Sequence, residues 1–173
     1  MTEKRSSAAS VKISDTKLWI VGGTSDIFDP SKASNSTAFI DSAKYSVSKG
    51  PDLPFTIHSH CMIKFSSTEI YIIGGWQNGK ISNKTWIVDL TNDFHITEGI
   101  EFVFRVKCTN WKITKILGPL LKYGRARHCG AKMVLNGKSI LVVAGGESSE
   151  DSKELDSVEI LDALSLEGWQ EGM

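Results

Sequence analysis

Three hydrophobic runs in this chain each end in a pair of glycines: LWIVGG (Leu18 to Gly23), IYIIGG (Ile70 to Gly75) and ILVVAGG (Ile140 to Gly146). Recurrence of this kind constrains the fold more than any figure of composition, because a copied segment implies a copied supersecondary unit. The second glycines lie 52 and then 71 residues apart, so the period is uneven. A second element restores the regularity. In GPDLPFTIHSHC, Pro51 precedes His60 by nine residues, and in GPLLKYGRARHC, Pro119 precedes His128 by nine. The diglycine then follows the histidine after 14 residues in one copy (Gly74) and 17 in the other (Gly145). Two independent elements in the same order are a poor match to chance.

One unit reads as four short strands. After the histidine come apolar-rich runs, CMIKF and CGAKMV, each followed by a turn: SSTE at Ser66 to Glu69, or Asn136-Gly137, a dipeptide favoured in type I′ hairpins. The next strand, IYII or ILVV, is almost wholly apolar, as for a strand covered on both faces. Its closing glycines, Gly22 and Gly23, Gly74 and Gly75, Gly145 and Gly146, allow close backbone approach that a Cβ would obstruct. A polar loop leads to a third strand (TAFID, TWIVD, SVEIL), and a fourth carries an aromatic: YSVS at Tyr45, WKI at Trp111, GWQ at Trp169. The expected architecture is all-β: about three four-stranded antiparallel sheets, over residues 6–52, 57–120 and 126–173.

Composition supports a folded chain and sets the charge problem. With 173 residues, 40% hydrophobic and 23% charged, the chain is neither disordered nor collagen-like. Its longest aliphatic run, Ile140 to Ala144, is far too short to cross a bilayer as a helix. The net charge of zero hides a division. Residues 147–173 hold nine acids and one base, whereas Phe102 to Gly146 holds nine Lys or Arg and no acid. The plainer reading of such a pair of segments is mutual attraction within one fold; a surface for an anionic ligand or nucleic acid is the alternative. Trp111 and Tyr123 would give that surface its stacking groups, but the charges spread over several strands.

The diglycine after a hydrophobic strand, the aromatic 23 residues beyond it (Gly146 to Trp169) and the Gly-Pro, Leu, Arg, His series of GPLLKYGRARH resemble the kelch repeats of a β-propeller. The resemblance covers nearly the whole chain. The first unit departs from the pattern near Tyr45 and Val47, and the second carries an insertion, about Phe94 to Cys108, with 43 residues from Gly75 to Gly118 against 27 from Gly23 to Gly50. The family implies five to eight blades, so three would be part of a ring, either a fragment or a chain that associates through its uncovered edges. It also implies a non-enzymatic scaffold or adaptor that binds a protein partner. A copper-radical oxidase of the galactose oxidase type is a weaker alternative, because Tyr45, Tyr71 and Tyr123 assemble no Tyr/His/Cys constellation.

Strand alternation places the loops Thr24 to Ser36, Trp76 to Asn83 and Glu147 to Glu154 on one face, with the segments Pro54 to Ser59 and Lys122 to Arg127. From that face Lys122, Arg125, Arg127, Trp76 and Asn78 are the expected partner contacts, Arg supplying a planar fork for carboxylate or phosphate. Arg125, three residues before His128, could instead tie one unit to the next. Gly22, Gly23, Gly74, Gly75, Gly145, Gly146, Trp111, Trp169, His60 and His128 are expected to be structural. No cofactor or metal is expected. His58 and His60 make at most a half-site that no spaced Cys or carboxylate completes, and adjacent His128 and Cys129 should point to opposite faces. Gly137-Lys138-Ser139 ends like a P-loop but joins two strands and lacks the upstream glycine. Cys61 and Cys129 should be free and shielded, and the odd cysteine count favours a reducing compartment. The glycosylation acceptors Asn35 and Asn83 would suit an extracellular one.

Overall fold

The computed structural model describes residues 3–90, 95–98, 119–148, 153–165 and 167–172, with only the backbone of 95–98. It is all-β. The first unit runs β1 (Ala9–Lys12), β2 (Lys17–Val21), β3 (Thr37–Asp41) and β4 (Ser46–Lys49), with a 3-10 turn at Pro30–Lys32. A short β5 (Ile57–His58) leads into the second unit, β6 (Cys61–Lys64), β7 (Glu69–Ile73), β8 (Trp76–Gln77), β9 (Lys80–Ile81), β10 (Thr85–Asp89) and β11 (His95–Glu98). The third is β12 (Cys129–Leu135), β13 (Lys138–Ala144), β14 (Val158–Asp162) and β15 (Gln170–Glu171).

Each unit forms a four-stranded antiparallel sheet with neighbours in chain order: β1-β2-β3-β4, β6-β7-β10-β11 and β12-β13-β14-β15. Local hairpins explain this order, since every connection joins adjacent strands. Between β12 and β13 both Asn136 (φ 52°) and Gly137 (φ 78°) are left-handed, the conformation a type I′ turn requires. At the tip of β6 and β7 the Ser66 hydroxyl accepts the amides of Thr68 and Glu69 instead.

The sheets stack through side chains that alternate along the second strand of each unit. Trp19 and Val21 of β2 meet Ile70 and Ile72 of β7 in one core with Leu53, Phe55, Ile57, Trp86 and Val88. From the other side of β7, Tyr71 and Ile73 meet Leu141, Val143, Leu161 and Trp169 in a second, with Ile63, Phe65 and Leu121. The middle sheet is therefore apolar on both faces, which accounts for the unbroken run IYII. At the innermost edge β6 touches both β1 and β12. The diglycine sits where units come closest: a Cβ on Gly22 would collide with the carbonyl of Ile57, and one on Gly74 with that of Arg125.

Several expectations change. The fourth strand of the second unit is His95–Glu98, paired with β10 through Ile87 and Thr97, so it precedes Trp111 and uses residues assigned to the insertion. A loop of ordinary length after Asp89 suffices for a hairpin, which the aromatic marker concealed. Trp111, Phe104 and Lys107 lie outside the described residues. Tyr45, the expected aromatic of the first unit, is 96% exposed in a left-handed turn (φ 48°). Trp169 instead reaches the neighbouring unit, donating from Nε1 to Thr85 Oγ1 at 3.2 Å. Of the two cysteines expected to be shielded, Cys61 is half-buried against the second core, but Cys129 is exposed. Cys61 points towards the third unit, its Sγ 2.7 Å from where a Cβ on Gly130 would stand.

Candidate functional site

The loops after the diglycines are built on a common plan. In the second unit β5, β8 and β9 form a small three-stranded sheet, joining the segment that leads into the unit to the loop after Gly75. The other units reduce it to single bridges: Ser6 with Thr24 and Thr24 with Ala33, then Ala126 with Glu147 and Glu147 with Glu154. These pairings hold the leading segments and the loops on one face, as strand alternation requires. They also brace the loops locally. Asp26 Oδ1 accepts the Phe28 amide and Asp29 Oδ1 that of Ser31, which presents Phe28 to solvent with 88% of its surface exposed.

Between the second and third units the face carries a chain of polar contacts. Trp76 Nε1 donates to Glu147 Oε1 at 3.0 Å, and Arg127 donates to Glu147 Oε2 at 3.1 Å. His58 lies parallel to Trp76, with ring centroids 6.1 Å apart, and its Nδ1 is 3.1 Å from Ser59 Oγ. Burial, and after it the Arg127 guanidinium, lowers the His58 pKa, against a smaller opposing pull from Glu147. A neutral imidazole stacked on indole, beside a half-exposed guanidinium, offers both apolar area and donors. Asn78, in the β8–β9 turn, is left-handed (φ 49°) and accepts the Thr56 amide at Oδ1. Its side chain braces the loop as well as bordering the face.

The five expected contacts separate. Trp76 and Arg127 come together through Glu147, whereas Asn78 is held to Thr56. Lys122 does not join them: its ammonium is paired with Glu171 on β15 and lies over the Tyr123 ring. Arg125 is fully buried, which corrects the expectation that it contacts a ligand. Its guanidinium donates to the carbonyls of Gly145 and Ser157, to Ser157 Oγ, and to Glu159 Oε1 at 2.6 Å, while Glu159 also accepts the amides of Lys122 and Tyr123. An uncompensated charge left by removing one partner of such a pair costs on the order of 3–5 kcal/mol, so Arg125 is a structural residue. Arg5 repeats the arrangement in the first unit, donating to the carbonyls of Gly22 and Ser36 and to Ser36 Oγ.

The described residues of the basic block have partners within the fold; Arg105, Lys107, Lys112 and Lys115 lie outside the described residues. Lys122, Arg125, Arg127 and Lys138 pair with Glu171, Glu159, Glu147 and Asp162, all from the acidic segment, and Lys132 donates to the Phe65 carbonyl. The expected half-site of His58 and His60 is divided between two elements, His58 ending β5 and His60 preceding β6. Ser59 between them is left-handed (φ 55°), so the two residues do not lie on one continuous strand. Among the described residues no group of three His, Cys, Asp or Glu converges on a point. Sequence reasoning passed over Glu147 and Phe28; a lone acid in an acidic segment and a lone aromatic in a polar loop carry no spacing signal. No protein-family model matches the chain, and no curated protein matches it.

Proposed function

We propose that the chain is a kelch-type partial β-propeller acting as a non-enzymatic protein-interaction module, with its partner on the face of the post-diglycine loops. The observation that carries this reading is the contrast within that face. Phe28 stands out on a braced loop beside half-exposed Ile27, and Arg127 extends from a chain anchored by Glu147 and Trp76. Aromatic and Arg side chains on pre-ordered loops give the area and donors that dominate protein interfaces. The repeated four-stranded sheets and their glycine-mediated stacking support the propeller part of the reading. Against the anionic-ligand alternative, the five basic side chains of the block among the described residues are engaged internally.

The test is quantitative capture of cellular proteins on the wild-type chain and on Phe28→Ala and Arg127→Ala, with Lys44→Ala as a control on the β3–β4 turn. Both loop variants should weaken binding of one shared partner by ~1–2 kcal/mol in calorimetry, with unchanged circular dichroism. Binding that survives both substitutions, or that falls with Lys44→Ala, would show that the partner uses the other side.

A further inference from the structure

The joint between successive units is made of backbone hydrogen bonds that recur at equivalent positions. Between the first and second units Ile57 N–H donates to the Ser34 carbonyl, Gly23 N–H to that of Ile57, and Ser59 N–H to that of Ser7. Between the second and third, Arg125 N–H donates to Ser82, Gly75 N–H to Arg125 and Arg127 N–H to Ser59. The same positions at the two ends of the chain are unpaired among the described residues. At the trailing end these are the carbonyls of Leu155 and Arg127 and the Gly146 N–H; at the leading end, the N–H groups of Arg5 and Ser7 and the Arg5 carbonyl. Every open donor of one end has its open acceptor on the other.

The side chains tell the same story. Ile70, Ile72 and Val88, which face the preceding unit, are completely buried, whereas their first-unit equivalents Leu18, Ile20 and Ile40 are only partly covered. Tyr71 and Ile73 face the following unit and are buried, but their third-unit equivalents Val142 and Ala144 are partly exposed, with Met133 beside them 54% exposed. Both end sheets thus carry half-covered apolar faces flanked by unsatisfied peptide groups. Such groups strongly favour a partner that supplies them.

We propose that the third sheet of one copy of this chain packs against the first sheet of a second copy, head to tail, repeating the joint found twice within the chain. The second copy is the occupant because it presents the matching surface: Arg5 N–H to Leu155, Gly146 N–H to Arg5, and Ser7 N–H to Arg127. Arg127 borders both surfaces, with its side chain on Glu147 of the loop face and its carbonyl at the joint, and the inference does not depend on the identity of any partner on the loop face.

Two substitutions test it. Within the chain a Cβ on Gly145 meets only the Leu155 carbonyl, at 3.6 Å, whereas at the equivalent Gly22 and Gly74 it would collide with the carbonyl of the next unit. Gly145→Ala should therefore keep the wild-type circular dichroism and sediment as single chains, while the wild type sediments as a multimer. Ser10→Cys supplies a positive signal. Cys61 Sγ lies 2.7 Å from where a Cβ on Gly130 would stand, and Cys129 with residue 10 of the next copy repeats that pair. Mild oxidation should link residue 10 of one chain to Cys129 of another, as peptide mapping would read. Wild-type protein that sediments as single chains at micromolar concentration, or association whose only cross-link joins Cys129 to Cys129, overturns the proposal.

Discussion

His60 and His128 show how a single buried base sets an acid limit on the fold. Both rings are buried, and neither nitrogen of either has a hydrogen-bond partner among the described residues. Burial, and after it the nearby His128 and His58, lowers His60 to about 3, and burial, with the Arg125 guanidinium, lowers His128 to about 4. In the unfolded chain both take up a proton near 6.5. A base held neutral in the fold contributes its full share of stability above about pH 6.5, and loses it as pH falls towards the folded values, by roughly 1.4 kcal/mol per unit per histidine. The first unit carries Ala8 where the others carry His60 and His128. His60→Ala should therefore unfold at lower urea than the wild type at pH 7, and the gap should narrow as pH drops to about 4. A gap that stays constant or widens with acidity would show that His60 is not the group being titrated.

At the level of strands and turns, the diglycines are where one unit seats on the next. Gly74 holds φ at +60°, and its missing Cβ is the space taken by the Arg125 carbonyl and the His128 ring. Gly74→Ala should destabilise the fold by ~3 kcal/mol or more, combining backbone strain with a forced shift of a packed neighbour. Gly145→Ala should cost the single chain, at dilutions where copies are apart, only ~1 kcal/mol, since within one chain the space beside it is open. Equal losses in chemical denaturation would mean that conformational strain alone decides, and that the close approach is incidental. These elements were legible in the sequence because their signals are local: apolar run, glycine pair, Asn-Gly turn, Gly-Pro leader. The fourth strand of the second unit was misplaced because its four residues, HITE, carry no apolar period, and Trp111 drew the assignment downstream. Arg125 could not be assigned to core or surface from its spacing. Its place was settled by Glu159, 34 residues on, whose carboxylate only the folded β14 brings to it. The Trp76–Glu147–Arg127 cluster was half legible for the same reason: alternation gave the face, but a contact across 71 residues has no local trace.

For the whole molecule, head-to-tail contact between copies makes stability depend on concentration. If end sheets cover one another, the melting temperature of the wild-type chain should rise with protein concentration, by mass action on the folded, associated state. The Gly145→Ala chain should melt at one temperature across the same range. Scanning calorimetry over a hundredfold dilution reads the difference, and a wild-type midpoint that ignores dilution would leave the end sheets without a mutual role. The row of left-handed residues on the inner edge, Ser7, Ser59 and Arg127, has a wider consequence. Each passes its peptide group to the next, whichever side chain it bears. An instruction written in main-chain geometry places little selective pressure on side-chain identity, so repeats can diverge to Ser, Ser and Arg while keeping one way of joining. Duplication would then copy a working connection along with the segment, and the resulting copies could drift apart in sequence without losing their seat on one another.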